Sequence, residues 1–265
     1  MVTPAGVVLP VTGGGDGAYA VSTPCARQAT VAGTPLSRAH VVLDPGHGGD
    51  EPGAVGPGGL TEAPVNLAIA QETKRLLEAS GATVVLTRSA DYRIALRTRA
   101  AIATALEPLA FVSIHHNAEP DGPWPGPGAE TYYQIANDAS KRLAGLLWEE
   151  QVAALAPFGA DWMADTDAGA KYRPASDGGD YYGILRRSAG IDAVLSEAAF
   201  ISNGSEEALL ATSAFQLAEA GAIARAIARF VATDDPGSGF TEPYPRTTPA
   251  GPGGGVDDCV DPPLE

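Results

Sequence analysis

Short apolar runs alternate with longer amphipathic segments through the middle of the chain. The apolar runs are bounded by glycine, proline and small polar residues, a pattern that is typical of buried strands. The predicted strands cover residues 40–43, 82–88, 109–116, 129–135 and 192–200. In the longer segments apolar residues recur at helical spacing, and the first stripe runs from Val65 and Ile69 to a stop at Gly81. The predicted helices cover residues 62–80, 94–106, 138–155, 205–211 and 214–232.

The order of these elements predicts the fold class. Strands separated by helices of this length indicate a layered α/β fold with a mainly parallel sheet. No internal repeat is visible, and we expect a single domain of catalytic size over residues 38–233. Residues 157–180 are polar and contain glycine, so we expect them to form a surface loop.

The two ends of the chain differ from the patterned block. Residues 1–37 and 234–265 are rich in glycine and proline with weak periodicity, which predicts a loosely ordered arm and tail. They carry the two cysteines of the chain, Cys25 and Cys259. Neither belongs to a CxxC pair, which disfavours a thiolate metal site.

Two states of the cysteines are open. Free thiols would suit a reducing cytosol, whereas a disulfide between Cys25 and Cys259 would suit an oxidising compartment. We favour the disulfide, because it explains why irregular ends carry the only cysteines. It would contribute about 4–5 kcal/mol as an upper figure, since it closes most of the chain into one loop. The ends would then be fastened to the domain instead of acting as free, disordered spacers.

Net charge excludes several partners. The 265 residues carry a formal charge of −15 and no basic run, which disfavours nucleic acid and anionic lipid as ligands. No apolar stretch approaches the length of a membrane span. The first basic residue is Arg27, so we do not expect the N-terminal segment, as given, to be a signal peptide.

Unusual polar residues fall where predicted strands end. His47 follows the first strand in a glycine-rich turn, His115 closes the third strand, and Glu197 closes the fifth. Glu62 begins the helix after the glycine-rich turn and leads its inward stripe. Ligands of parallel α/β sheets bind beyond the carboxyl ends of the strands. We therefore expect these four side chains to meet at one edge of the sheet.

Each residue alone has an ordinary structural explanation. His47 could be a turn residue, His115 a core histidine bonded to the main chain, and Glu62 a first-turn glutamate favoured by the helix dipole. Glu197 is harder to explain in this way, because an apolar strand would raise its pKa, as in general acid–base groups. His116 points to the opposite face of its strand, which suggests a structural role or a place behind the ligands.

Together these residues suggest a metal centre. His47, Glu62 and His115 form a set of two imidazoles and one carboxylate, which suits catalytic zinc with an open fourth position. Glu197 then fits as the base that deprotonates a zinc-activated water. The spacing is not HExxH, so the common helical metalloprotease motif is absent.

The motifs resemble those of one enzyme family. In order, "VVLDPGHGGDEPGA", "EAPVNLAIA", "GATVVLTRSAD", "FVSIHHNA", "GAETYY" and "AVLSEAAFISN" are similar to the motifs of zinc-dependent N-acetylmuramoyl-L-alanine amidases of the Amidase_3 type, across residues 40–232. The resemblance implies a twisted, six-stranded, mostly parallel sheet flanked by helices, and one zinc ion per chain. It implies hydrolysis of the amide between N-acetylmuramic acid and L-alanine in peptidoglycan.

The resemblance also implies roles for single residues. The family's metal ligands fall on His47, Glu62 and His115, and its catalytic glutamate falls on Glu197. Two motifs depart from the family pattern. "E-L-G-F" reads "EAAF" here, and "SIHAN" reads "SIHHN", so that His116 adds an imidazole near the site. The stretch over residues 158–180 is longer than expected and suggests a lid or substrate wall.

Other candidates keep two explanations each. Asn117 lies beside the proposed ligands and could support them or touch substrate. Glu130 could be a second acid near the metal or a carboxylate at the end of a loop, and we favour the second. Arg88 could orient a stem-peptide carboxylate or pair locally with Asp91, which we favour. Trp124 could be a platform for a sugar or a loop anchor.

Three functions remain to be compared. The first is a peptidoglycan amidase, expected to act outside the cytoplasm as a monomer on peptidoglycan or muropeptides. The second is a zinc hydrolase of another cell-wall bond, such as a carboxypeptidase or an N-deacetylase. The third is a non-catalytic wall-binding module, which the presence of all four site residues disfavours.

Overall fold

The elements are taken from a computed structural model, which describes residues 1–118, 128–159, 168–243, 256 and 258–265. The strands in these ranges are β1 (Val11–Gly15), β2 (Ala18–Ser22), β3 (Gln28–Ala32), β4 (Val41–Pro45), β5 (Val84–Leu86), β6 (Ala110–Asn117), β7 (Glu130–Tyr133), β8 (Gly169–Lys171) and β9 (Ala193–Phe200). The α-helices in these ranges are α1 (Glu62–Ala79), α2 (Leu96–Leu106), α3 (Asp138–Leu155), α4 (Gly183–Arg187), α5 (Gly204–Leu210) and α6 (Ser213–Ala232).

Six strands form the central sheet, in the order β5-β4-β6-β9-β7-β8. Neighbouring strands run parallel except β7 and β9, which are antiparallel. Helices α1, α3 and α6 pack on one face of the sheet, and α2 and α4 pack on the other. This architecture confirms the expected α/β fold with a mostly parallel sheet and helices on both faces.

Helices on both faces explain the continuous apolar runs of the strands. In β4, Leu43 packs into the cluster that includes α1 and α6, whereas Val42 packs into the cluster that includes α2. In β6, Val112 packs into the first of these clusters and Phe111 packs into the second. Successive side chains of a strand point to opposite faces, so a strand covered on both faces needs apolar residues at both parities.

The predicted helices agree closely with the structure, apart from one short element. The segments predicted over 62–80 and 138–155 correspond to α1 and α3, each within one residue at its ends. Helix α4 was not predicted, because five residues are too few to display a helical period. In the described ranges no helix is long and apolar enough to cross a membrane.

The N-terminal arm is folded. Strands β1, β2 and β3 form a separate three-stranded antiparallel sheet. Its buried residue Val21 packs in one cluster with Tyr92 and Ile94 of the central domain. The expectation of a loosely ordered arm over 1–37 is therefore wrong. Glycine-rich strands that bury only one apolar face carry little periodic signal, and composition alone does not reveal them.

The end of the chain is fastened to this sheet. Cys25 and Cys259 form a disulfide with their Cα atoms 5.6 Å apart, which confirms the favoured pairing. Beside it, the Asp261 carboxylate accepts hydrogen bonds from the main-chain N–H of Cys25 at 2.7 Å and from the Thr23 hydroxyl at 2.9 Å. Arg27 forms an ion pair with the same carboxylate at 3.1 Å. This part of the tail is thus stapled to the domain.

An earlier part of the tail extends the central sheet. The Ala170 N–H donates to the Gly239 carbonyl at 2.8 Å, and the Thr241 N–H donates to the Ala170 carbonyl at 3.1 Å. These bonds pair main-chain groups at the edge of β8, which would otherwise be an unpaired edge of the sheet. The expectation of a surface loop over 157–180 is wrong at β8, and the expectation of a loose tail is wrong here. Three-residue strands are too short to show alternation.

Candidate metal centre

Three sequence-predicted side chains converge at the carboxyl end of the sheet. His47, Glu62 and His115 each offer a ligand atom, and these atoms lie within 4.8 Å of one another. His47 Nε2 lies 3.1 Å from one Glu62 oxygen, and His115 Nδ1 lies 3.0 Å from the other. The imidazole rings meet edge to face with centroids 4.8 Å apart. The structure therefore brings together residues that are far apart in the sequence.

Two glycines of the turn after β4 make room for this cluster. A Cβ atom added to Gly46 would lie 2.1 Å from the His115 ring. A Cβ atom added to Gly53 would lie 2.5 Å from a Glu62 oxygen and 2.7 Å from the His47 ring, and Gly53 also has a φ of +74°. His47 itself has a φ of +60°, in the left-handed region that non-glycine residues rarely adopt. The turn is thus shaped around the three side chains.

Glu62 lies at the centre of the cluster and is almost fully buried. The Asn66 amide and the His116 N–H donate to one carboxylate oxygen at 3.0 and 3.1 Å, and the Ala54 N–H donates to the other at 2.9 Å. Burial raises the pKa of Glu62, but its contacts with His115 and His47 outweigh burial and hold the pKa well below its usual range. Glu62 is therefore a carboxylate near neutral pH.

The two histidines of the cluster have different electrostatic environments. Burial lowers the pKa of His47, but the carboxylates of Glu51 and Glu62 outweigh burial and raise that pKa to about 9. Burial is also the largest influence on His115 and leaves its pKa below the ordinary value. In the metal-free protein the positive charge of the cluster therefore belongs mainly to His47, and His115 is a neutral imidazole that is ready to bind a metal.

Arg88 supports the turn through hydrogen bonds to its main chain. Its buried guanidinium donates to the carbonyl oxygens of Pro45 at 2.9 Å, Gly46 at 2.8 Å and Ala63 at 2.7 Å. Burial is the main reason that the pKa of Arg88 is lowered, to about 10. The expected ion pair with Asp91 is not formed within the described residues. The Arg88 side chain points inward to main-chain oxygens, where it is inaccessible to a substrate carboxylate.

A buried ion pair at the end of β4 also holds the turn. Arg99 contacts Asp44 at 2.8 Å and donates to the main-chain oxygen of His47 at 2.6 Å. The Thr87 and Ser113 hydroxyls donate to the same carboxylate at 2.6 and 2.8 Å. Burial raises the pKa of Asp44, but Arg99 and the two hydroxyls outweigh burial, so the pKa lies below its usual value. The backbone around His47 is therefore connected to Thr87, which follows β5, and to β6 and α2.

Glu197 lies next to the cluster on the neighbouring strand. It is the register partner of His115 across β6 and β9, and only 8% of its surface is exposed. Glu130 is its register partner on the other side, across β9 and β7. The three potential ligands therefore meet at one edge of the sheet, and main-chain pairing places Glu197 on the strand next to His115.

Glu130 is a fully buried strand residue. Lys171 of β8, also buried, forms an ion pair with it at 2.5 Å. The Asn117 amide and the Tyr132 hydroxyl donate to the other carboxylate oxygen at 2.5 and 3.1 Å. Glu130 is the first residue of β7 and is not one of the three clustered residues, and both explanations offered for it stay predictions. Because the Asn117 amide donates to Glu130, a supporting role for Asn117 stays a prediction, as does contact with substrate.

Sequence reasoning missed Lys171 and Tyr182. Lys171 falls in the segment expected to be a loop, and no local pattern marks it. The ring of Tyr182 contacts that of Tyr132, with centroids 4.6 Å apart. Burial and then the charge of Glu197 raise the pKa of Tyr182 to about 12, so its hydroxyl remains a proton donor. Trp124 and residues 160–167 of the expected lid lie outside the described residues.

The donor set fits a catalytic zinc site. Zinc in such sites takes three protein ligands, among them sets of two histidines and one glutamate, and keeps one position for water or substrate. The side chains of His47 and His115 remain 23% and 22% exposed, so the cluster is open on one side. His47, Glu62 and His115 could therefore hold one divalent metal ion that a substrate can reach.

Comparisons with known proteins show the family of the chain. The family model of Amidase_3, described as N-acetylmuramoyl-L-alanine amidase, matches residues 41–229. The N-acetylmuramoyl-L-alanine amidase AmiC of Neisseria meningitidis serogroup B is 33% identical over 222 residues, which cover 73% of this chain and 53% of that protein. The chain thus spans about half the length of this relative.

Solved structures are similar over a comparable share of the chain. The N-acetylmuramoyl-L-alanine amidase AmiC2 of Nostoc punctiforme superposes with a TM-score of 0.60 at 32% identity, over 72% of this chain and 96% of that chain. The catalytic domain of CwlV, an N-acetylmuramoyl-L-alanine amidase from Bacillus (Paenibacillus) polymyxa var. colistinus, gives 0.60 at 34% identity, over 72% and 97%. The region matched by the family model, residues 41–229, contains the central sheet and the metal cluster.

Proposed function

The chain belongs to the Amidase_3 family of N-acetylmuramoyl-L-alanine amidases, and we propose that it hydrolyses the amide bond between N-acetylmuramic acid and the L-alanine of the peptidoglycan stem peptide. One observation carries the proposal: the cluster of His47, Glu62 and His115 lies beside Glu197, which is the register partner of His115. This arrangement supplies a metal site and a carboxylate for proton transfer at the same edge of the sheet.

We assign one zinc ion to His47, Glu62 and His115. Zinc held there supplies Lewis acidity, which acidifies a water molecule and polarises the scissile carbonyl. Glu62 enters the site as a carboxylate, and the exposed sides of His47 and His115 leave room for the substrate. Arg88 donates to the main-chain oxygens of Pro45 and Gly46, and Arg99 donates to that of His47, so the turn that carries the first ligand is held in place.

Glu197 carries the proton in the proposed reaction. It accepts a proton from the attacking water as the water oxygen bonds to the carbonyl carbon. It returns the proton to the nitrogen of L-alanine as the carbon–nitrogen bond breaks, and the carboxylate is regenerated. The products are a lactyl carboxylic acid on muramic acid and a stem peptide with a free α-amine.

We propose that the protein acts outside the cytoplasm, where peptidoglycan lies. The disulfide between Cys25 and Cys259 supports this location, because structural disulfides persist in oxidising compartments. We expect a monomer, since the site is complete within one chain.

The activity is tested by metal analysis joined to product identification. Purified protein is loaded with zinc, incubated with purified peptidoglycan, and the soluble products are identified by mass spectrometry. We expect one zinc per chain and stem peptides with N-terminal L-alanine. The matched variant Glu197→Gln should keep its zinc and release these peptides about 10²–10⁴-fold more slowly, because it cannot exchange the proton.

Other products would contradict the proposal in defined ways. Release of a terminal D-amino acid would indicate a carboxypeptidase, and release of acetate would indicate a deacetylase. Binding to peptidoglycan without any product would indicate a wall-binding module. Peptide release that is unchanged in Glu197→Gln would remove Glu197 from the reaction.

A further inference from the structure

A chain of buried polar contacts leads away from the proposed metal site into the core. The Asn66 amide donates to Glu62 at 3.0 Å, and its oxygen lies 2.8 Å from His116 Nδ1. His116 Nε2 lies 3.1 Å from a carboxylate oxygen of Glu219 on α6. The side chains of His116 and Glu219 are both 0% exposed. The contacts therefore connect Glu62, a potential metal ligand, to α6, which packs on the same face of the sheet as α1 and α3.

The acceptor atoms in this series of contacts fix the orientation of each side chain. Asn66 Nδ2 faces the Glu62 carboxylate and, at 3.4 Å, the Gly46 carbonyl, which can only accept hydrogen bonds. Asn66 Oδ1 must then face His116, so the His116 Nδ1–H donates to it. On the other side of the ring, the Nε2–H donates to the Glu219 carboxylate. His116 is thus held between two acceptors and fixes the rotamer of Asn66.

Fold stability does not explain such a network well. Well-packed apolar side chains often replace a buried ion pair without loss of stability, because removing two charges from water is costly. The other end of the network, at Glu62, offers a functional explanation for these contacts. Groups that hydrogen-bond a metal-binding carboxylate restrict its motion and increase metal affinity.

We propose that Asn66, His116 and Glu219 are positioning residues that hold the Glu62 carboxylate in the orientation required for metal binding. The inference rests on the proposed zinc role of Glu62 and goes beyond it. Asn66 contacts Glu62, His116 fixes the orientation of Asn66, and Glu219 fixes the orientation of His116. The main-chain N–H of His116 also donates to Glu62 at 3.1 Å, so the same residue restrains the carboxylate twice.

The test is the zinc dissociation constant of metal-free protein, measured by competition with a chromogenic chelator. His116→Ala and Glu219→Met each break the network and should weaken zinc binding about 10–100-fold. Glu219→Gln keeps an acceptor oxygen for His116 and should remain within about threefold of wild type. The control Thr73→Val removes a hydroxyl that contacts the carbonyl of Ala220 on α6 without touching the network, and should leave zinc affinity unchanged.

A combined variant keeps the test decisive if a single variant does not fold. His116→Ala with Glu219→Met removes both buried charges, so no unpaired charge is left to unfold the protein. It should bind zinc as weakly as the single variants, because all three lack the same support of Glu62. A folded combined variant that binds zinc within twofold of wild type would overturn the proposal. A shift in the melting temperature of metal-free protein with unchanged zinc affinity would do the same, since it indicates a purely structural role.

The wild-type titration separates this inference from the proposed function. If wild-type protein binds no zinc, the metal site itself is wrong, and the positioning role falls with it. If wild-type protein binds zinc tightly and the variants do too, only the positioning role is wrong. Product identification is independent of both results.

Discussion

His115 and Glu197 are register partners on the adjacent parallel strands β6 and β9. Neighbouring strands lie about 4.8 Å apart, so main-chain pairing fixes the distance between a proposed metal ligand and the proposed proton carrier. Sites built on strands hold their geometry better than sites built on loops. On its other side Glu197 pairs with the buried Glu130. The surroundings of Glu197 can therefore be tested residue by residue.

Tyr182 is the first neighbour to test. Its pKa of about 12 keeps the hydroxyl protonated over the working pH range, beside the charge of Glu197. Tyr182→Phe removes this donor and keeps the ring that packs on Tyr132. We expect kcat/KM for peptide release to fall about tenfold, because Glu197 loses a polar neighbour, with unchanged zinc content. The control Tyr181→Phe should stay within twofold, and equal activity of Tyr182→Phe and wild type would contradict the role.

The glycines of the first turn give a matched pair. Gly53 and Gly59 both have positive φ, +74° and +92°, so alanine costs about 1 kcal/mol of backbone strain at either position. Only the new Cβ at Gly53 would meet Glu62 and His47, whereas Gly59 faces open space. We expect Gly53→Ala to weaken zinc binding at least tenfold and Gly59→Ala to leave it unchanged. Isothermal titration of metal-free protein measures both, and equal affinities would show that the turn does not shape the site.

The pair of Lys171 and Glu130 gives a prediction about stability. Both side chains are buried, so Lys171→Met leaves a carboxylate without its ion-pair partner. We expect a loss of about 3–5 kcal/mol in the free energy of unfolding, measured in urea. Adding Glu130→Gln should recover part of the loss, because it removes the buried charge.

A surface pair provides the control for Lys171. Arg225 contacts Glu150 at 2.7 Å, but its side chain is 53% exposed. Arg225→Met should therefore change the free energy of unfolding by less than about 1 kcal/mol. A loss for Lys171→Met as small as that of Arg225→Met would mean that the buried pair contributes no more than a surface pair.

Much of the fold and the cluster could be predicted because the signals are local. The stripe of α1 and the apolar strands follow from periodicity, and the ends of parallel strands share one edge, which brings His47, Glu62 and His115 together. Side-chain direction in β6 also placed His116 on the face opposite His115. These inferences need only the period of each element and the direction of the strands.

The rest depends on contacts between distant segments. Lys171 meets Glu130 only because β8 pairs with β7, and no local pattern predicts a three-residue strand. Arg88 was expected to pair with Asp91, its near neighbour, but the buried carbonyl oxygens of the turn needed its donors. The sheet of the N-terminal arm depends on an apolar contact with Tyr92 and on the disulfide. Pairings of this kind are set by the tertiary fold, which overrides local preference.

The pH dependence of stability should reveal Glu206. Burial raises the pKa of Glu206 to about 7. One of its oxygens accepts from the Phe200 N–H at 2.5 Å, and the other has no hydrogen-bond partner in the described part of the chain. The folded protein then keeps this proton up to about pH 7, whereas the unfolded chain loses it near pH 4.5. Between these values the folded state binds more protons, so Glu206 lowers the free energy of unfolding as pH rises.

Glu206→Gln isolates this effect, because glutamine resembles the protonated acid and does not ionise. At pH 5 we expect the variant and wild type to unfold in urea with similar free energies. At pH 8 folded wild type must either carry a buried charge or keep a proton that the unfolded chain has released, and both cost free energy, so the variant should be more stable by about 3 kcal/mol. The control Glu107→Gln changes an exposed residue and should shift stability by less than about 0.5 kcal/mol at both pH values. A difference between Glu206→Gln and wild type that is the same at pH 5 and pH 8 would show that Glu206 does not titrate in this range.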